Sequence, residues 1–299
     1  MANRKRFRVP LRSRTLLLGE RTLIMGVLNV TPDSFSDGGL YLDLQPAIAR
    51  ALEMEQQGAD LIDIGGESTR PGSEATPIAE ELRRVLPVLE GLRGKLKIPI
   101  SIDTRRAEVA EAALAAGAEI INDISGLKSD PHVAEVAARR KVPLILMHIR
   151  GEPKTMQKFP FARDVLKDVT SGLRAAAAKA IKAGVPRNRI ILDPGIGFGK
   201  SFAQNYELLA RLPELAKLGF PLLVGTSRKT FLGATLARDG EPAPPAERIW
   251  GTAAAVAASI LAGAHIVRVH DVTEMLQVTR VADCVLNPAL APASKRARP

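Results

Sequence analysis

A single cysteine, Cys284, occurs among the 299 residues. No intrachain disulfide can form, and no cysteine-based metal cluster can be built. The four histidines never fall in His-Glu-x-x-His spacing, which argues against a zinc hydrolase of that kind. Aromatic residues make up 4% of the chain, and no series of them alternates with the basic residues. The stacking half of a single-stranded nucleic-acid site is therefore missing. No apolar run approaches the roughly 18 residues of a membrane span. The Arg-rich N-terminus lacks the apolar core of a secretory signal, so a cytoplasmic location is expected, with an organelle transit peptide as the alternative.

What charge there is lies at the ends. The formal net charge is +10. Arg4, Lys5, Arg6, Arg8, Arg12 and Arg14 stand in residues 1–14 without an acid, and Lys295, Arg296 and Arg298 stand in the last five. The body between is nearly neutral. Basic tails on a neutral body are expected to be solvated, and no nucleic-acid or membrane partner is expected.

The body alternates strand and helix from Leu23 to Val285. Strands are expected near 23–30, 60–65, 98–103, 119–124, 143–148, 189–193, 221–225 and 265–270. Helices are expected near 44–57, 77–92, 106–116, 131–140, 161–183, 203–211, 246–262 and 272–286. Gly58, Gly117, Gly184 and Gly263 stop four of those helices, and Pro99, Pro143 and Pro221 precede three strands. The strands are near-continuous Ile, Leu and Val, as buried parallel strands are. Eight right-handed strand–helix units point to an α/β fold of the (β/α)8 TIM-barrel class. No Gly-x-Gly-x-x-Gly follows the first strand, which counts against an open dinucleotide-binding sheet. The expected organisation is a basic tail and short strand or hairpin over 1–20, one barrel over 21–287, and a disordered tail over 288–299. Cys284, in the last helix, reads as a small core residue.

Every strand runs into polar groups, and in such a barrel those ends share one face. Asp103, Asn122, Asp193 and Lys229 form one set, rich in acceptors with one cation. It suits a flat, nitrogen-rich heterocycle, because a carboxylate can accept two N–H bonds from an amino-amidine edge. Phe198 offers an apolar face to such a ring. Asp103 alone could instead cap the helix that follows. Asn29, Arg70, Arg268 and His270 form a second set, with Asp33, Phe35, Asp37 and Thr69 beside it. Two arginines and a histidine suit phosphate or pyrophosphate, and the Asn29 oxygen could join a magnesium ion. Surface salt bridging is the alternative for Arg70, and a satisfied core histidine for His270 and His148. Ser34 and Ser227 lack the context of a nucleophile elbow. The expected chemistry is positioning of two substrates with electrostatic help for a leaving group, without a covalent enzyme intermediate.

These segments carry a resemblance. Gly26 to Gly39 (GVLNVTPDSFSDGG), Asp63 to Gly72 (DIGGESTRPG), Ser101 to Thr104, Ile121 to Gly126, Leu146 to His148, Asp193 to Lys200 (DPGIGFGK), Ser227 to Lys229 and Arg268 to Asp271 follow in the same order in the dihydropteroate synthases. The chain resembles that pterin-binding TIM-barrel family of the folate pathway, the target of sulfonamides. The resemblance implies a transferase joining 6-hydroxymethyl-7,8-dihydropterin pyrophosphate to p-aminobenzoate, with 7,8-dihydropteroate and pyrophosphate as products. It implies that Asp103, Asn122, Asp193, Lys229, Phe198 and Met147 bind pterin. Asn29, Arg70, Arg268 and His270 would bind pyrophosphate, with Mg2+ at Asn29. Phe35, Thr69, Arg70, Pro71, Phe198, Lys229 and Ser227 would form the p-aminobenzoate pocket. Asp37, Asp103, Arg70 and Lys229 would be catalytic, in a dissociative substitution, and the later helices would make a homodimer, with Thr252–Ala264 as a candidate surface and core packing against the barrel as the alternative for that stretch. Glu152 and Lys154 bring more charge after His148 than the family pattern suggests. A non-catalytic pterin-binding paralogue and a methyltetrahydrofolate-dependent methyltransferase are the alternatives. The second has no use for the pyrophosphate arginines.

Overall fold

A computed structural model describes residues 4–31, 44–68, 72–152, 154–156 and 161–293. The chain opens with an antiparallel hairpin of β1 (Phe7–Pro10) and β2 (Thr15–Leu18). The barrel strands follow as β3 (Leu23–Asn29), β4 (Leu61–Gly65), β5 (Ile100–Asp103), β6 (Ile120–Asp123), β7 (Leu144–Met147), β8 (Ile190–Asp193), β9 (Leu223–Val224) and β10 (Ile266–Val269). They pair in parallel in the order β8-β7-β6-β5-β4-β3-β10-β9, and a Leu192–Leu222 bridge joins the two ends into a closed barrel. This is the expected (β/α)8 architecture.

The helices are α1 (Leu44–Gln56), α2 (Ile78–Leu92), α3 (Ala107–Ala116), α4 (His132–Arg140), α5 (Val165–Lys182), α6 (Phe202–Ala210), α7 (Leu212–Ala216), α8 (Thr230–Thr235), α9 (Ile249–Leu261) and α10 (Val272–Leu286). Two of them, α7 and α8, depart from the expected pattern. Their five and six residues are too few to show a helical period. The seventh barrel strand is also shorter than expected, pairing regularly only at Leu223 and Val224.

Strand side chains alternate, and that alternation builds the barrel interior in layers. Met25, Leu61, Ile120, Ile145, Ile191, Leu223 and Ile266 form an apolar plug with Val9, Leu11, Leu16 and Leu18 of the hairpin beneath it. Two residues further along the same strands stand Val27, Asp63, Asn122, Met147, Asp193, Gly225 and Arg268. The floor of the strand-end face is thus the next layer above an apolar plug. The outward strand residues pack against the helices in the main core.

The N-terminal segment differs from a solvated tail. Arg4 donates from Nη1 to Thr22 Oγ1 at 2.8 Å and to the Ala264 carbonyl at 2.7 Å, and pairs through Nη2 with Asp283 at 2.9 Å. Arg12 donates to the Leu114 carbonyl at 3.0 Å. These cations meet helix-end carbonyls and a buried carboxylate, and so they are built into the barrel's lower end. Pro288–Leu290 form a 3-10 turn where a disordered tail was expected, and residues 294–299 lie outside the described ones. Cys284 is partly exposed, not a core residue.

Candidate active site

One cavity of about 950 Å³ opens on the catalytic face and is lined by residues from β3, β5, β6, β7, β8 and β10 and the loops after them. Asn29, Asp103, Asn122, Met147, Asp193, Phe198, Ser227, Lys229, Arg268 and His270 all line it. The two sets read from the strand ends are therefore neighbours in a single site. Asp33, Phe35, Asp37, Thr69, Arg70 and Pro71 lie outside the described residues.

Its floor is a polar lattice drawn from four strands, β4, β5, β6 and β10. Arg268 donates from Nε to Asp63 Oδ2 at 2.7 Å and from Nη2 to Asp103 Oδ2 at 2.8 Å. Asn122 Nδ2 donates to the same Asp63 oxygen at 2.9 Å. Asp103 thus answers Arg268, not a helix cap. Burial first, and then the neighbouring Asp63, push the Asp103 carboxyl up to about 8, with Arg268 pulling the other way. Asp63 is fully buried and was missed as a site residue by the sequence reading. The signal was available: an acid inside an apolar strand, on the same face as Leu61, needs a buried partner.

Asp193 sits at the end of β8 and accepts from the Gly195 amide at 2.7 Å. Burial raises its carboxyl to about 6, against that hydrogen bond and the charges of Lys229 and Arg268. The loop from Gly195 to Lys200 turns back tightly over β7. A Cβ at Gly195, where φ is +65°, would lie 2.0 Å from the His148 carbonyl oxygen, so only glycine fits. Lys200 is buried and pins the loop, with Nζ 2.9 Å from the Phe198 carbonyl and 3.2 Å from both the His148 carbonyl and His148 Nδ1. Ser201 and Gln204 close a reciprocal capping box that starts α6 directly behind it. His148 therefore serves the loop and does not reach the cavity.

The loop delivers Phe198 beneath Lys229, whose Nζ stands 3.9 Å from the ring centroid. Phe198 also joins Ile124, Met147, Ile149 and Met156 in an apolar cluster. Burial, with Arg268 nearby, lowers the Lys229 ammonium to about 8, and Asp193 and Asp103 oppose this. The result is a slot with an apolar wall, two carboxylates and an amide at its end, and a cation over an aromatic face.

The opposite end is basic. His270 meets Ser227 Oγ through Nδ1 at 2.9 Å, and its backbone N–H donates to the same hydroxyl at 3.2 Å. Burial, then Arg268 and Arg228, hold the imidazole down at about 3, so it is neutral near pH 7. Arg228 donates from Nε to Asp271 at 3.0 Å and also pairs through Nη2. Asn29 ends β3 here with a half-buried side chain. Among the described residues no group of three or more His, Cys, Asp or Glu is arranged to hold a metal ion. The donor set is a lone amide oxygen, which fits a magnesium ion that brings water and phosphate oxygens with it.

A slot for a flat heterocycle joined to an anion-binding end defines a class. The sequence pattern of the pterin binding enzymes matches residues 25–270, and the chain belongs to that family. It is 53% identical over 267 residues to the dihydropteroate synthase of Synechocystis sp., covering 89% of this chain and 91% of that one. It is similar to the Xanthomonas albilineans dihydropteroate synthase solved with 4-aminobenzoic acid, with a TM-score of 0.86, 42% identity, and coverage of 95% of this chain and 99% of that one. The same enzyme solved with 7,8-dihydropteroate matches at a TM-score of 0.83 and 41% identity, over 94% of this chain and 99% of that one.

Proposed function

We propose that this chain is a transferase of folate biosynthesis that condenses 6-hydroxymethyl-7,8-dihydropterin pyrophosphate with p-aminobenzoate, forming 7,8-dihydropteroate and pyrophosphate. The observation that carries the reading is the single cavity in which Asp103, Asn122, Asp193 and Lys229 face an apolar wall while Asn29, Arg268 and His270 stand at its other end. Asp193 and Asn122 take the amino-amidine edge and ring amide of the pterin. Phe198 and Met147 supply van der Waals faces, and Lys229 bridges the ring to the incoming arylamine.

The reaction is a substitution at the pterin methylene carbon. The C–O bond to pyrophosphate breaks first, and its electron pair leaves with the oxygen. The ring nitrogens stabilise the cation that remains, and Asp103 counters its charge in the ionised form that the Arg268 contact favours. The arylamine nitrogen then gives its lone pair to the methylene carbon, forms the C–N bond and loses a proton to solvent or pyrophosphate. Asp37, Arg70, Phe35, Thr69 and Pro71 belong to this proposal as parts of the catalytic and p-aminobenzoate sites, with Ser227 beside them. Asn29 would hold a magnesium ion, which would supply charge neutralisation for the pyrophosphate. His270, neutral and tied to Ser227, contributes a hydrogen bond and not a charge.

A homodimer and a cytoplasmic location are part of the same proposal. Trp250 at the start of α9 is 80% exposed and Val281 on α10 is 67% exposed. Leu261 and Val285 on the same two helices are also exposed, which supports a covered apolar face there. No helix among the described residues is long and apolar enough to cross a membrane. The function is tested by incubating purified protein with the pterin pyrophosphate, magnesium and p-aminobenzoate. Release of pyrophosphate with formation of dihydropteroate is expected. Tight pterin binding without product would favour the non-catalytic reading.

A further inference from the structure

Arg50 lies on α1, outside every barrel strand, yet it lines the cavity beside Asn29, Arg268 and His270. Its Nη2 donates to the His270 carbonyl oxygen at 3.0 Å. Its Nη1 donates to Glu53, one turn further along the helix, at 2.7 Å. Arg268 and Arg228 are more firmly held, each by carboxylates, while Arg248, also on the cavity wall, is fixed by the Ala243 and Arg228 carbonyls. Arg268 has Nε and Nη2 on Asp63 and Asp103. Arg228 has Nε and Nη2 on Asp271. Glu53, by contrast, is 53% exposed, and a solvent-exposed pair three residues apart on a helix is weakly bound. An anion of several charges entering this end can therefore draw the Arg50 guanidinium away from Glu53 at little cost. The planar fork of the guanidinium suits phosphate oxygens.

We propose that Arg50 is a further pyrophosphate anchor, holding the His270 carbonyl with one branch and exchanging Glu53 for the terminal phosphate with the other. The inference rests on the proposed function, of which it extends the pyrophosphate end. It ties α1 to the end of β10 when the anion is bound, and it adds a cation to the leaving group's side of the cavity.

The test compares wild type, Arg50→Ala, Arg50→Lys and Glu53→Ala. Three probes are used: magnesium pyrophosphate, the pterin alcohol that lacks pyrophosphate, and p-aminobenzoate in turnover. Arg50→Ala should weaken pyrophosphate binding about tenfold or more, as loss of a charge-assisted hydrogen bond does. The KM for the pterin pyrophosphate should rise in parallel. Affinity for the pterin alcohol and the KM for p-aminobenzoate should stay within about twofold. Arg50→Lys should recover part of the loss, and Glu53→Ala should bind pyrophosphate at least as well as wild type. Wild-type affinity in Arg50→Ala would overturn the proposal, as would an equal loss for all three probes, which marks a purely structural arginine. If Arg50→Ala does not fold, unchanged pyrophosphate binding in Arg50→Lys together with weaker binding in Glu53→Ala would overturn it. A wild-type protein that binds neither pterin nor pyrophosphate would instead bring down the function on which the proposal stands.

Discussion

Arg268 and Asp63 meet at 2.7 Å, Nε to Oδ2, and that contact links β10 to β4 across the floor of the cavity. The same Asp63 oxygen takes the amide of Asn122, so one buried carboxylate fixes both the cation proposed for the pyrophosphate and the amide proposed for the pterin. The two halves of the site share a single support. Arg268 also reaches Asp103 at 2.8 Å, so one guanidinium touches both buried carboxylates of the floor.

Removing that support should be costly. Asp63→Ala leaves Arg268 with one carboxylate and strands the Asn122 amide. Breaking a buried pair in this way costs about 3–5 kcal/mol. Denaturant unfolding should show that loss, and pterin binding should weaken with it. Asp63→Asn, which retains the acceptor oxygen, should lose less stability. A stability unchanged in Asp63→Ala would show that the lattice contributes nothing to the fold.

Asp193 predicts a pH dependence of binding. Burial raises its carboxyl to about 6, and only the ionised form can accept the pterin N–H pair. Pterin affinity should therefore be flat above that pH and fall as pH drops through it, by up to about tenfold per unit. Calorimetric titration of the pterin between pH 5 and pH 8 checks this. The slope should vanish, along with most of the affinity, in Asp193→Asn.

Lys200 predicts a pH dependence of stability. Burial lowers its ammonium to about 7 in the folded chain. Below that pH the folded and unfolded states both hold the proton, and the full cost of burying the charge is present. Between about 7 and the unfolded value near 10.4, the unfolded state binds more protons, so stability rises with pH by at most about 1.4 kcal/mol per unit. Unfolding measured across that window should show a rise in wild type that is smaller in Lys200→Met, where Lys229, whose ammonium burial lowers to about 8, still contributes to it.

The lower end of the barrel is tested by Arg4→Ala. The substitution leaves Asp283 paired only with Thr22, through the Thr22 amide at 2.7 Å and its hydroxyl at 2.8 Å. A loss of about 3 kcal/mol is expected. Turnover at a temperature where the variant stays folded should match wild type, since the catalytic face lies at the other end of the strands.

Most of the barrel was legible because burial on both faces makes each parallel strand a run of Ile, Leu and Val. Glycine also ends the helices visibly: Gly58, Gly117, Gly184 and Gly263 all take positive φ. The site was partly legible because strand ends meet by topology, which brought Asp103, Asn122, Asp193, Lys229, Arg268 and His270 to one cavity. What escaped lacked a local signature. Arg50 reads as an ordinary residue on the polar side of an amphipathic helix, and only the curve of the barrel brings it to His270. Arg4 looks like part of a basic tail until Asp283, 279 positions away, is placed beside it. Asp63 sits in the middle of its strand, where attention to strand ends passes over it.

The most direct measurement is pyrophosphate release by the purified chain given the pterin pyrophosphate and magnesium, with and without p-aminobenzoate, followed by detection of dihydropteroate. Release coupled one-to-one to dihydropteroate when p-aminobenzoate is present, and its loss in Lys229→Met, is the predicted result. No product, from a folded protein that binds the pterin, would contradict the assignment of this cavity as a synthase site.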